Sequence, residues 1–168
     1  MSDSEPNDIT YGLATEADVP GIQFTAEESW RATYRGIYTD TFISEFLAQN
    51  YSAEGLLRSV NSQRTTLLVA REDEIAVVGF CHYGPSLGGD DVELYRLYVD
   101  PDYWRLGIGR TLLGMMEDWL RAEGVGHYGL YVHALNEIGK AFYFKHGFIH
   151  DERRDKPEED HWYLSKQL

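Results

Sequence analysis

The stretch that decides the fold is Tyr98-Val-Asp-Pro-Asp-Tyr-Trp-Arg-Leu-Gly-Ile-Gly-Arg-Thr-Leu-Leu113. It leaves a β-rich run, crosses a loop that holds Gly107 and Gly109, and enters a segment with helical periodicity. Glycine lets the backbone approach an anion without a Cβ in the way, and the first N–H groups of a helix have no intrahelical partner. A pyrophosphate group fits such a turn, although a purely structural tight turn uses glycines in the same way.

This turn is a poor match to two other phosphate-binding motifs. A dinucleotide fingerprint needs a third glycine three residues after the second, but Leu112 occupies that position, and no acidic ribose partner stands at the expected distance. A P-loop needs a lysine that the turn does not contain. A nucleotide-binding regulator is therefore only an alternative, which competition between coenzyme A and NAD would decide.

Hydrophobic periodicity on both sides of the turn predicts one mixed α/β layer around a single sheet. Apolar residues at helical spacing predict helices over residues 16–34, 42–47, 53–60, 108–124 and 138–146. Alternating or β-branched runs predict strands over residues 9–13, 65–70, 75–83, 92–99, 128–133, 148–151 and 162–165. Residues 1–7 are expected to be a disordered tail, residues 8–168 a single domain, and the charged run 151–160 a solvated loop.

The composition narrows the classes of partner. With 168 residues and 43% hydrophobic side chains, the chain is long enough and apolar enough to bury one core. A net charge of −13 argues against nucleic acid, because phosphate binding needs clustered lysine and arginine. Lysine stands only at positions 140, 145, 156 and 166, and this excess of carboxylates resembles the acidic proteins of salt-loving organisms. We expect a cationic or polar amine as the partner.

Targeting and metal-binding signals do not stand out. No apolar run approaches the roughly 20 residues of a membrane span, and residues 1–8 do not have the basic-then-apolar order of a signal peptide. We therefore predict a cytoplasmic protein with no membrane partner. Cys81 stands alone, which excludes an internal disulfide and a zinc site built from several cysteines. The six histidines are scattered, so we predict no metal.

Three segments carry a resemblance to a known family. The run Glu93-Leu-Tyr-Arg-Leu-Tyr-Val-Asp-Pro, followed by Trp104-Arg-Leu-Gly-Ile-Gly, resembles the acetyl-CoA signature of GNAT enzymes, usually written Q/R-x-x-G-x-G/A. The run Leu130-Tyr-Val-His-Ala-Leu-Asn-Glu-Ile-Gly-Lys-Ala-Phe-Tyr-Phe-Lys-His-Gly-Phe148 is similar to the strand, asparagine and helix that follow in that family. Residues 29–37 look like one subgroup, so the resemblance spans about residues 8–168. One departure is that Trp104 stands where the family has glutamine or arginine.

The resemblance implies a fold and a cofactor site. The fold is a central, mostly antiparallel sheet of six to seven strands flanked by about four helices, and the donor is acetyl-CoA as co-substrate. The backbone of Leu97 and Val99 is expected to pair with the pantetheine arm, and a backbone N–H near Val99 is expected to polarise the thioester oxygen. The residues assigned to cofactor binding are Leu97, Tyr98, Val99, Arg105, Leu106, Gly107, Ile108, Gly109, Arg110 and Asn136.

The chemistry of amine acetylation calls for a base. An alkylamine with a pKa near 10.4 is almost entirely protonated at pH 7, and forming the neutral amine there costs about 4–5 kcal/mol. Glu93 is the candidate, because strand alternation puts Glu93, Tyr95, Leu97 and Val99 on one face, and a glutamate there resembles the base of some GNAT enzymes. The resemblance also implies the alternative that a bulge, common in this strand of the family, breaks the alternation. His133 and Glu137 are reserve candidates for this proton transfer.

A general acid and an acceptor wall complete the expected site. Tyr143 occupies the position of the family's general acid, and a neutral phenol carries a proton for the leaving thiolate. Aromatic residues at helical spacing near the N-terminus, Trp30, Tyr34 and Tyr38, are the candidates for the acceptor side. The predicted function is acetyl transfer to a primary amine of a small molecule or protein, with a non-catalytic acyl-CoA sensor as the alternative. Dimers are frequent among relatives, so a homodimer is one option by analogy, and the sequence itself does not specify the oligomeric state.

Overall fold

A computed structural model of the chain describes residues 8–89 and 91–168, so the predicted tail at residues 1–7 lies outside the described residues. The strands are β1 (Ile9–Leu13), β2 (Thr66–Glu72), β3 (Ala76–Pro85), β4 (Val92–Val99), β5 (His127–His133), β6 (Ile149–His150) and β7 (His161–Gln167). The helices are α1 (Val19–Tyr34), α2 (Asp40–Asn50), α3 (Ala53–Val60), α4 (Ile108–Ala122) and α5 (Glu137–Lys145).

The seven strands form one sheet in the order β1-β2-β3-β4-β5-β7-β6. Every neighbouring pair is antiparallel except β4 and β5, which run parallel because α4 crosses from the end of one to the start of the other. The predicted mixed fold with a mostly antiparallel sheet is confirmed, and five α-helices are described where about four were expected.

Each face of the sheet carries its own core. On one face, α4 buries a stripe that includes Leu112, Met116 and Leu120, four residues apart, against strands β2 to β7. On the other face, α1 buries Ile22 and Ala26 at the same spacing, together with α2 and α3. Spacing by four residues places these side chains on one side of a helix, which is why periodicity alone located both helices.

A bulge in β4 changes which side chains share a face. Two residues of β4 stand opposite one residue of β3 at Tyr95, so the alternation shifts by one position there. Leu94 before the bulge and Leu97 after it both pack into the α4 core, as does Val99. The prediction that Glu93, Tyr95, Leu97 and Val99 share a face is therefore wrong: Glu93 lies on the face opposite to Leu97 and Val99.

An ion pair ties the start of α1 to β2. Arg71 donates from Nε to Asp18 Oδ1 at 2.7 Å and from Nη2 to Asp18 Oδ2 at 2.6 Å, and Asp18 is only 6% exposed. Burial raises the pKa of Asp18, but hydrogen bonds from Arg71 and Thr15 outweigh that effect and hold the pKa below its ordinary value. This pair positions the helix that carries the aromatic candidates for the acceptor side.

The substitution Asp18→Asn should destabilise the fold by about 2 kcal/mol at pH 7, because it leaves Arg71 without its counter-ion. The Asp18 pKa is lowered by folding, so the stabilisation is present above the unfolded-state value of about 3.9 and is lost as pH falls through the native pKa. Urea unfolding should therefore show that the difference in unfolding free energy between the wild type and Asp18→Asn is smaller at pH 3 than at pH 7.

The control is Glu54→Gln, which breaks an exposed helical pair with Arg58 at 2.6 Å. Both side chains of that pair face water, so its loss should change the unfolding free energy by less than about 0.5 kcal/mol. Equal losses of unfolding free energy in Asp18→Asn and Glu54→Gln would contradict the role given to Asp18. So would a difference between wild type and Asp18→Asn that does not depend on pH.

Candidate active site

The candidate site is a cleft that opens where β4 and β5 part. The two strands pair at only two positions, Val92 opposite Tyr128 and Glu93 opposite Gly129, and no further pairs join them among the described residues. A cavity of about 1100 Å³ lies beyond that point, between the remainder of the two strands, the N-terminus of α4, one face of α5 and the aromatic end of α1. The edge of β4 from residue 94 onward therefore presents backbone groups to the cleft instead of to β5.

The N-terminus of α4 forms one end of this cleft. Gly107 is the residue before the helix, has a φ of 82° and provides no side-chain cap, so the first N–H groups of α4 remain available to a ligand. Arg105 also has a positive φ, 65°, which turns the chain sharply before the helix. A Cβ built on Gly109 would lie 3.3 Å from the Phe142 ring, so the glycine keeps this end of the cleft open. These features fit a pyrophosphate group.

Trp104, at the position where the family has glutamine or arginine, has a structural contact. Its indole Nε1 donates to the carbonyl of Val99 at 2.8 Å, which ties the turn to the end of β4. The phosphate-binding donors on this side are backbone N–H groups, which the exchange of the side chain leaves in place. Leu106 is 67% exposed and does not line the cleft, whereas Arg105 and Arg110 on either side of the glycines do.

Aromatic rings form the opposite end. Trp30 packs on Tyr34 and on Phe46 with ring centroids 4.2 Å apart in both cases, and Tyr38 stacks on Phe42 at 4.4 Å. Burial raises the pKa of Tyr34 to about 12, so this phenol stays neutral. The three predicted acceptor residues thus stand together, and α2 adds two rings that the sequence did not mark.

Tyr143 of α5 and Asn136, the residue immediately before that helix, both line the cleft. Burial raises the pKa of Tyr143 well above its ordinary range, so the phenol keeps its proton at neutral pH. Asn136 is buried and caps α5, accepting from Gly139 N at 2.8 Å, while its Nδ2 donates to Tyr34 Oη at 3.4 Å. The cap therefore links the acceptor wall to the helix that carries Tyr143.

Glu93 is not among the residues that line the cleft. It lies where β4 and β5 still pair, and the positive charges nearest to it are Lys156 and Arg154. Burial raises its pKa above the ordinary value, and those two cations oppose that effect only in part. The bulge and the strand pairing together separate this carboxylate from the cavity.

The reserve candidates differ from each other in placement. His133 is 4% exposed and lines the cleft, and its Nδ1 accepts the Leu135 N–H at 3.1 Å. Burial, followed by the nearby imidazole of His161, holds the pKa of His133 below its ordinary value. Glu137 is mostly exposed and pairs with Lys140 at 2.7 Å, outside the cleft lining.

The cleft thus gathers most of the residues that the sequence singled out for the site, and all of them line it except Glu93, Leu106 and Glu137. The lining also contains residues that sequence reasoning missed. Phe42 and Phe46 stand one helical turn apart, a spacing that marks a common face, whereas nothing in the sequence marks β7 as a neighbour of β5. Three of these missed lining residues are Phe42, Phe46 and His161.

The described part of the chain contains neither a candidate metal cluster nor a helix that could span a membrane. Within residues 8–89 and 91–168, no group of three or more His, Cys, Asp or Glu side chains is arranged to hold a metal ion. In the same part of the chain, every helix is too short or too polar to cross a bilayer.

Comparison with known proteins gives consistent matches. Residues 25–148 match the model of the acetyltransferase (GNAT) family. The spermidine N(1)-acetyltransferase of Thermoplasma acidophilum is 35% identical over 134 residues, covering 78% of this chain and 82% of that protein. The crystal structure of PaiA N-acetyltransferase from the same organism, in complex with coenzyme A, superposes with a TM-score of 0.86 at 31% identity and covers 96% of this chain and 99% of that one.

The splayed β4–β5 pair and the uncapped N-terminus of α4 form a cleft that suits a phosphorylated donor, and the relatives that share this fold are coenzyme A-dependent acyltransferases. The chain belongs to the GNAT acetyltransferase family. It is an N-acetyltransferase that uses acetyl-CoA as co-substrate and an amine as acceptor, and the alternative of a non-catalytic acyl-CoA sensor is not favoured.

Gly107→Ala should weaken coenzyme A binding about tenfold. An alanine at a φ of 82° is strained by roughly 1–2 kcal/mol, and relief of that strain moves the N–H groups that follow. Isothermal titration calorimetry of coenzyme A measures the effect. The matched control is Gly114→Ala inside α4, where a Cβ has free space, and which should leave the Kd unchanged. Wild-type affinity in Gly107→Ala would contradict the assignment of the turn.

Proposed function

We propose that the chain acetylates a primary amino group of an aliphatic polyamine. The observation that carries the proposal is the aromatic wall formed by Trp30, Tyr34, Tyr38, Phe42 and Phe46. Ring faces attract ammonium groups, and the aliphatic spacers of a polyamine pack on the same rings. The relative from Thermoplasma acidophilum, whose name specifies spermidine, supports the choice of acceptor class.

Charge near the wall favours a cationic acceptor. The Asp160 carboxylate lies close enough to Tyr38 to raise the pKa of that phenol further, after the effect of burial. At longer range, the net charge of −13 attracts polycations and repels anionic acceptors. The same excess of carboxylates underlies a second proposal, adaptation to high salt. A cytoplasmic location is proposed separately and does not rest on charge.

In the proposed reaction, Tyr143 acts as the general acid and the other groups bind and orient. Acetyl-CoA supplies a thioester whose acetyl group moves to the amine. The uncapped N-terminus of α4 and the free edge of β4 hold the donor, and the aromatic wall holds the acceptor in the same cleft, so attack is direct within a ternary complex. Tyr143 then donates its hydroxyl proton to the departing thiolate.

Tyr143→Phe should lower kcat by about 100-fold, because the thiolate then leaves without a proton. The KM for acetyl-CoA should stay within about twofold, since only a hydroxyl is removed. The control is Tyr83→Phe, a buried tyrosine of the same core that does not line the cleft. Release of free thiol measures both variants. Equal turnover by the two variants would remove Tyr143 from the mechanism.

The acceptor class is tested with a panel of amines and with substitutions of Tyr38. Wild-type kcat/KM should be higher for spermidine and spermine than for simple monoamines and for a peptide with an N-terminal alanine. Tyr38→Leu should raise the KM for spermidine about fivefold, because about 1 kcal/mol of cation–π attraction is lost. Tyr38→Phe keeps the ring and should keep the wild-type KM. A preference for the peptide, or equal effects of leucine and phenylalanine, would overturn the polyamine proposal.

A further inference from the structure

The cleft raises a question about the proton that the acceptor must lose. Its lining, within the described residues, contains arginines, a lysine, tyrosines and histidines but no aspartate or glutamate. Tyrosine, lysine and arginine are protonated at neutral pH and cannot accept a proton there. The groups left to act as a base are three lining histidines, His133, His146 and His161.

His146 stands at the wrong end of the cleft. It follows the last turn of α5, whereas Asn136 precedes the first, and the ten residue steps from one to the other correspond to about 15 Å of helix. Its Nδ1 is 2.7 Å from the carbonyl of Phe142, the residue that contacts Gly109 near the phosphate-binding turn. This imidazole therefore lies on the donor side, away from the aromatic wall.

His133 is at the acceptor end, but its lone pair is engaged. The Leu135 N–H donates to Nδ1, so a neutral imidazole here carries its hydrogen on Nε2 and has no free acceptor nitrogen. The lowered pKa of His133 agrees with a ring that remains neutral. Its ring lies 5.2 Å from that of Tyr38, where it contributes an N–H donor rather than a base.

His161 combines a place at the acceptor end of the cleft with a ring nitrogen that has no hydrogen-bond partner among the described residues. It stands directly opposite His133 in the β5–β7 pair, with ring centroids 5.7 Å apart, and it lines the acceptor end of the cleft. Its Nδ1 is buried and has no hydrogen-bond partner among the described residues. A buried polar atom without a partner costs about 1–3 kcal/mol, and a turn of the ring that brings Nδ1 to the cleft would let an N–H of a bound ammonium group remove that cost.

We propose that Nδ1 of His161, once its ring turns toward the bound amine, accepts the proton that the acceptor ammonium loses before attack. The proposal rests on the proposed function, in that it needs an aliphatic amine bound against the aromatic wall. It replaces Glu93, which the fold places outside the cavity, as the base.

The proton balance of the reaction is complete with these groups. The ammonium gives one proton to His161, and the neutral amine forms the C–N bond to the acetyl carbon with its lone pair while the C–S bond breaks. Tyr143 gives its proton to the thiolate, and the second proton released by the new amide nitrogen restores the phenol. His161 finally returns its proton to water, so the net products are the amide, coenzyme A with a free thiol, and one proton.

Several charged or titratable groups surround this imidazole. The carboxylate of Asp160 stands next to it in the chain. The groups that face the His133–His161 pair are Tyr38 from the α1–α2 connection, Lys140 from α5, and Lys156 and Asp160 from the segment before β7.

The test compares His161→Asn with wild type over a range of pH. Asparagine keeps a hydrogen-bonding atom near the position of Nδ1 but is not basic. With spermidine at pH 7, kcat should fall about 100-fold or more, and the defect should shrink as pH rises and more of the amine is neutral. With a weakly basic acceptor such as aminoacetonitrile, which needs no base at pH 7, the variant should approach the wild-type rate.

The control is His127→Asn, an exposed histidine outside the cleft, which should keep wild-type rates with both amines. A His161→Asn defect of the same size at every pH and with both amines would show a structural role and overturn the proposal, as would wild-type activity. If the wild type prefers another amine, only the polyamine proposal is refuted. His161→Asn is then compared with the wild type on that preferred amine.

A measurement on the wild-type chain does not depend on turnover. The ¹⁵N shifts of histidine side chains report which ring nitrogen carries the hydrogen. We expect His161 to be unprotonated at Nδ1 at pH 8, and its Nδ1 shift to move when spermidine is added with coenzyme A. A hydrogen on Nδ1 in the free enzyme, or no shift on adding the amine, would overturn the assignment.

Discussion

The separation of β4 from β5 is the constraint on which the site depends. In a continuous parallel pair the two strands would satisfy each other's backbone groups and leave no room for a ligand. Here the pairing ends after Glu93 and Gly129, and the ring of Tyr163 lies so close over Gly129 that a Cβ there would be 2.0 Å from its hydroxyl oxygen. A glycine is thus required at the last paired position, immediately before the cleft opens.

The separation also explains how one fold brings two substrates together. The strand that loses its partner is followed by the turn that begins α4, so a free strand edge and free helix N–H groups lie in succession along the chain. On the opposite side of the cleft, α1 and α2 present rings instead of polar backbone. The donor end suits a phosphorylated ligand and the acceptor end an aliphatic cation, in a cavity whose phenols stay neutral.

Much of this architecture could be predicted from the sequence, because it depends on local signals. The stripe on α4, the glycines at 107 and 109 and the apolar runs of the strands each mark an element without knowledge of the others. Glu93 shows where such reasoning ends. The face predicted for Glu93 assumed strict alternation along β4. The bulge at Tyr95 depends on how β4 pairs with β3, and the residues of β4 alone do not specify that pairing.

His161 shows a second limit. Its importance comes from standing opposite His133 across a strand pair joined by a long charged segment, and from a nitrogen without a partner; neither is visible before the sheet order is known. The charged segment itself is more ordered than the predicted solvated loop. It holds two short 3-10 turns, and Arg154 lies 3.9 Å above the ring of Tyr163, which keeps this segment on the sheet beside the acceptor end.

Hydrogen exchange with and without acetyl-CoA tests the central claim most directly. If the donor is held by the free edge of β4 and the N-terminus of α4, exchange should slow about tenfold or more at the amides of residues 97, 99 and 108–110. The amides of β1, at the far edge of the sheet, should be unaffected. Protection that is absent from both segments, or that appears equally in β1, would contradict the account.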